Sequence, residues 1–115
     1  MKDYNFTVMH KDEESAYVQV SSDHKNVVIK KILPDGIKQP FSGNNLGLER
    51  VYNFLKGRCY EDGYAELGKV LAVVGMKSND PWEWNRKTHG VSWEDYFWIK
   101  FDDEDLSWED VKWRD

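Results

Sequence analysis

The chain has 115 residues, of which 40% are apolar and 15% aromatic, and its net charge is −5. That composition excludes a disordered or low-complexity protein, and the length suits a single domain, 1–115. The lone cysteine, Cys59, excludes an internal disulfide, and neither the N-terminus nor any later run is apolar enough for a leader or a membrane span, so a soluble, cytoplasmic protein is expected.

Tyr4, Phe6 and Val8 alternate with polar residues, which predicts a half-buried strand. Ala16, Val18 and Val20 repeat the alternation after the charged turn KDEES, and Val27–Leu33 (VVIKKIL) reads as a third strand stopped by Pro34-Asp35-Gly36. Three strands joined by short polar loops predict an antiparallel meander.

After Pro40 the period lengthens. Leu48, Val51, Tyr52 and Leu55 fall at helical spacing behind a cap at Asn44 or Asn45. Tyr64, Leu67, Val70, Leu71 and Val74 predict a second helix ended by Gly75. Asp80-Pro81 supplies the N-cap and first residue of a short third helix that Gly90 ends. Tyr96–Phe101 (YFWIKF) is strand-like in its aromatic and β-branched content. The tetrapeptide Ser-Trp-Glu-Asp occurs on both sides of it, at Ser92–Asp95 and Ser107–Asp110, and each copy fits a capping box with Asp at the third helical position. The expected fold is α+β: an N-terminal antiparallel meander, two or three short helices and a C-terminal aromatic strand.

Charge is unevenly placed. From Glu94 onward nine acids face Lys100, Lys112 and Arg114, a net −6 that leaves +1 for residues 1–93. Contact with a nucleic-acid backbone needs Lys and Arg, so direct nucleic-acid binding by this tail is not expected, whereas a basic protein partner suits it. His10, His24, His89 and Cys59 lack the close spacing of a zinc set, and the acidic run fails as an EF-hand because Trp108 and Arg114 stand where Gly and Glu are required. There is no G-x-S-x-G elbow and no phosphate-cradling glycine loop. No metal, no cofactor and no catalysis of its own are expected. All six tryptophans lie in the last third of the chain, and aromatic rings rimmed by charge are what interface hot spots use. Trp84, Trp93, Asp102, Asp103, Asp105, Trp108 and Trp113 are the expected protein interface, and an exposed strand edge could also form a homodimer.

The stretch Lys87–Val111 resembles a segment near the N-terminus of HipA-like protein kinases, particularly those of Gram-positive bacteria. The family's pattern hG(L/V)S-x-x-D-x-(Y/F)-W-(I/L) is matched at Gly90, Val91, Ser92, Asp95, Phe97, Trp98 and Ile99, and its (T/S)-W-E-D-V element at Ser107–Val111. Upstream, Leu33-Pro34 and Leu48–Arg58 (LERVYNFLKGR) resemble the family's LP turn and W/F-L-K-x-R helix, so the likeness covers about residues 30–111. In that family a kinase domain follows the Trp-Glu-Asp-Val element, whereas this sequence stops at Asp115; the ATP-binding loop and catalytic aspartates have no counterpart, and kinase activity is not carried over. The resemblance implies a regulatory role: a small subdomain that packs on a kinase and controls it, or a free-standing antitoxin-like partner. A phage or mobile-element inhibitor that presents acidic surface to a nucleic-acid-binding enzyme would share the charge pattern. A small enzyme or sugar-binding module would require a pocket lined by several tryptophans.

Overall fold

Alternation in the first third of the chain produces the meander that the sequence predicts. The computed structural model describes residues 3–44, 46–60, 63–92 and 95–112. Strands β1 (Tyr4–His10), β2 (Glu13–Val20) and β3 (Val27–Lys31) are followed by α1 (Leu48–Gly57), α2 (Leu67–Val73), α3 (Pro81–Thr88), β4 (Phe97–Phe101) and the single turn α4 (Trp108–Val111). The sheet is antiparallel throughout, in the order β3-β2-β1-β4. The architecture is therefore α+β, with the aromatic strand completing the sheet on the far side of β1. No helix among the described residues is long and apolar enough to cross a membrane.

The period-2 pattern gives the sheet two different faces. Phe6, Val8, Val18, Val20, Ile99 and Phe101 point to one side, where Phe41 and the Val51 and Leu55 face of α1 complete the main core. On the other side Met9 and Trp98 are covered by Trp108 and Val91, with Leu106 and Val111 packed alongside. The β1–β2 register slips between Val8 and Met9, which pair with Ala16 and Glu14, so Ser15 is an extra residue in β2. Ser15 is fully buried, its hydroxyl donates to the Lys38 carbonyl, and its own carbonyl accepts from Ile32, Leu33 and the Gln39 side chain. The bulge thereby anchors the loop that follows β3.

The helices depart from expectation mainly at their ends. The N-cap of α1 is Gly47, without a side-chain bond, rather than Asn44; Asn45 lies outside the described residues. The extended backbone of Gly47 turns its carbonyl to the Arg50 and Val51 amides, so a neighbouring asparagine is not used. Tyr52 is exposed at the edge of the α1 stripe, and Phe54 takes its place against the core. The second helix begins only at Leu67, since Tyr64 stacks on Tyr60 instead of joining it. Its end is as predicted: Gly75 has φ +77°, its amide bonds the Ala72 carbonyl, and the Met76 amide bonds that of Leu71. In α3, Asp80 accepts from the Trp82 amide at 3.0 Å and Pro81 occupies the first position, also as predicted. Trp82 and Trp84 leave α3 in different directions. Trp82 stacks on His24 at 4.0 Å, and Trp84 packs with Leu71 and Met76.

The aspartates of the two Ser-Trp-Glu-Asp copies take different partners. Ser107–Asp110 is a capping box, with the Asp110 carboxylate accepting the Ser107 amide at 2.8 Å. In the first copy Trp93 and Glu94 lie outside the described residues, and the Asp95 carboxylate is engaged elsewhere. It receives two parallel bonds from the Arg58 guanidinium, each 2.7 Å, and the Phe97 amide at 3.1 Å. Arg58, at the C-cap of α1, also donates to the carbonyls of Gly90 at 2.7 Å and Phe97 at 3.1 Å. Burial alone would raise the Asp95 carboxyl; the hydrogen bonds and charge of Arg58 outweigh it and hold the group below the ordinary carboxylate range.

Three predictions follow from this packing. An added methyl at Gly90, where φ is +63°, would meet Asn85 Oδ1 at 2.7 Å and Ile99 Cδ1 at 3.2 Å. Gly90→Ala is expected to lower stability by about 2 kcal/mol or more in urea denaturation. Arg58→Ala should cost about 2–3 kcal/mol, less than a fully buried pair because the Asp95 side chain is 37% exposed. Because the Asp95 pKa is depressed on folding, its contribution is complete above the unfolded carboxylate value of about 4 and is lost as pH falls through the lower folded value. The stability difference between the wild type and Asp95→Asn, measured by urea titration at several pH values, should therefore shrink below about pH 4. A difference that stays constant there would exclude this linkage.

Candidate functional site

The acids singled out in the sequence form the turn that leaves β4. The Asp102 amide bonds the Asn5 carbonyl at 3.3 Å, and the Glu104 amide bonds that of Phe101 at 3.0 Å, so the reversal is fixed by backbone contacts. Three side chains then tie it to three other places. Asp102 accepts from the Tyr17 hydroxyl at 2.5 Å, which raises that phenol above its ordinary value. Asp103 meets Arg86 of α3 at 2.5 Å, and this bond raises the arginine further. The Arg86 guanidinium also lies 4.3 Å over the Phe101 ring. Glu104 places both carboxylate oxygens 2.9–3.0 Å from Nε2 of His89, the residue that ends α3 with φ +58°. Asp105 is exposed at the end of the turn.

The turn stands between two hollows that share Phe101 and Asp102. One, about 280 Å³, is lined by Asp3, Tyr4, Asn5, Arg86 and Asp103 besides the shared pair. The other, about 420 Å³, lies over the second face of the sheet and is bounded by Thr7, Asp12, Glu14, Lys100 and Glu104. Six carboxylates thus border these hollows, against the cations Arg86 and Lys100. Four of them are not in the interface expected from the sequence: Glu104, within the turn, and Asp3, Asp12 and Glu14, which lie far from the acidic tail and are brought beside it by the pairing of β1 with β4. The signal for Asp12 and Glu14 was the acidic KDEE run at the β1–β2 turn, which by itself reads only as a turn; Asp3, before β1, carried no such signal. Asp12 also anchors the tail, accepting the Trp108 amide at 2.9 Å.

The tryptophans have a different place. Trp84 is 4% exposed and donates to the Arg58 carbonyl at 3.1 Å; Trp108 is 5% exposed and covers Met9 and Trp98. Both rings pack inside this chain, while Trp93 and Trp113 lie outside the described residues. Among the described residues, the exposed part of the expected interface is the group Asp102, Asp103 and Asp105. A shallow hollow of about 880 Å³ beside α1 is lined by the stacked Tyr60 and Tyr64 with Cys59, rather than by tryptophan.

Chemically, ionised carboxylates on a rigid turn are acceptors for lysine and arginine side chains of another molecule. Among the described residues no group of three or more His, Cys, Asp or Glu could hold a metal ion. Comparison with protein-family models, with curated proteins and with solved structures gave no match.

Proposed function

We propose that this chain is a non-catalytic, cytoplasmic protein-binding domain that regulates a larger partner by presenting its acidic turn to a basic surface. The observation that carries this reading is the fixed geometry of Asp102, Asp103 and Glu104, with exposed Asp105 next to them. Backbone bonds and contacts to Tyr17, Arg86 and His89 hold the carboxylates in place before any partner arrives, which lowers the ordering cost of association. The resemblance of Lys87–Val111 to the small N-terminal segment of HipA-like kinases makes such a kinase the candidate partner, in an accessory or antitoxin-like role. The burial of Trp84 and Trp108 favours charge over apolar docking in this association.

The carboxylates bordering both hollows also favour a second reading, an acidic inhibitor that occupies the nucleic-acid groove of an enzyme. Competition separates the two. Duplex DNA should displace the chain from a nucleic-acid-binding enzyme and leave its complex with a kinase intact.

The test is binding of the purified chain to a HipA-like kinase from its own host, by calorimetry at low and high salt, with kinase autophosphorylation as a second readout. Charge reversal must be chosen with care. Asp102 and Asp103 hold internal contacts, so reversing them disturbs the fold, whereas Asp105 is exposed. Asp105→Lys is expected to weaken binding about fivefold to tenfold at low salt and to leave the melting temperature within about 1–2 °C of wild type. Unchanged affinity in that variant would remove the turn from the interface, and no binding or inhibition by the wild type would overturn the kinase reading.

A further inference from the structure

The two edges of the sheet are finished in opposite ways. On β4 the residues turned away from β1 are Phe97, Ile99 and Phe101, and each has a partner: Arg58 bonds the Phe97 carbonyl, the Ile99 amide bonds the His89 carbonyl at 2.7 Å, and the Phe101 amide meets Glu104 at 3.4 Å. On β3 the bonds Ser21 N–H to Asn26 and Ile32 N–H to Ser15, with the register between them, turn the even-numbered residues toward β2. The amides and carbonyls of Val27, Ile29 and Lys31 therefore point outward, and no hydrogen bond to them occurs among the described residues.

Side chains on this edge specify what could pair with it. Val28 is 51% exposed and Lys30 exposed on the sheet face away from the main core, and Ile32, one residue past the strand, is also 51% exposed. From Lys25 to Leu33 the chain carries three lysines and no acid, in a protein of net charge −5. Lys31 is tied to Asp35, while Lys25 and Lys30 meet no carboxylate among the described residues. A second copy fits poorly. Two β3 strands related by a two-fold axis through Ile29 would set Lys30 diagonally against its own mate, a like-charge contact within reach of both side chains.

We propose that the free edge of β3 is a docking site for an extended acidic strand of a partner protein. That strand adds to the sheet with an apolar–acid–apolar alternation facing Val28, Lys30 and Ile32. Main-chain bonds to Val27, Ile29 and Lys31 supply the affinity, and Lys30 with its two apolar neighbours supplies the selectivity. This surface lies at the opposite edge from the acidic turn, so the inference stands apart from the kinase reading.

The probe is a blocked peptide, Val-Thr-Glu-Thr-Val flanked by threonines, titrated into the full isotope-labelled chain and followed by amide shifts and hydrogen exchange. Shifts confined to the β3 region, with slowed exchange of the Val27, Ile29 and Lys31 amides, are expected. Lys30→Glu should weaken binding about fivefold to tenfold and should instead favour the same peptide with lysine in place of glutamate, while Asp105→Lys should have no effect. No shift at millimolar peptide, equal binding of the acidic and basic peptides, protection elsewhere in the chain, or self-association that already protects these amides would each overturn the proposal.

Discussion

The pairing of Arg58 with Asp95 is the constraint on which the rest of the molecule depends. Arg58 stands at the end of α1, and Asp95 two residues before β4, so one guanidinium joins the helical layer to the last strand. Four of its bonds run to Asp95, Gly90 and Phe97, and its own carbonyl receives the Trp84 indole. A side chain 8% exposed and carrying a full charge is costly to bury unless its donors are met. Here two charge-assisted bonds and two carbonyls meet them, and the same contacts occupy the outer edge of β4. The acidic turn inherits its position from this arrangement, because it starts where β4 ends.

What was legible in the sequence was local. Alternation marked β1 and β2, a β-branched run stopped by a turn marked β3, and aromatic and β-branched content marked β4; Asp80-Pro81, Gly75 and Ser107–Asp110 marked helix ends through chemistry contained within a few residues. Contacts between distant residues were not legible. Arg58 reads as an ordinary basic residue near a helix end, and Asp95 as the last residue of a repeated tetrapeptide, because nothing in either neighbourhood encodes a partner 37 positions away. The repeated tetrapeptide shows the limit well: one copy satisfies its own helix start, and in the other the aspartate is drawn to a guanidinium. Likewise a tryptophan near acids reads the same whether it packs inward, as Trp84 and Trp108 do, or faces a partner. The acidic turn itself was visible as composition, but the contribution of Asp3, Asp12 and Glu14 required the β1–β4 register.

Strand order also separates charge. The lysine-bearing edge and the acidic turn belong to β3 and β4, the two outermost strands, with β1 and β2 between them. A molecule of this kind has a direction across its sheet. A partner with mixed charge would be oriented by it before contact, since steering fields act over roughly a Debye length of 8–10 Å at ordinary salt.

The central position of β1 also orders the assembly of the chain in time. The meander β1–β2–β3 closes through short turns, but the β1–β4 ladder joins Phe6 to Phe101, 95 positions apart. Loop closure over that distance comes late, after the local hairpins exist. Until then β1 is itself an open edge, and the main core lacks Ile99 and Phe101. The two hollows are each built from both ends of the chain, so they require the β1–β4 ladder. The pairing of β1 with β4 is thus the step that assembles the acidic surface from the two ends of the chain.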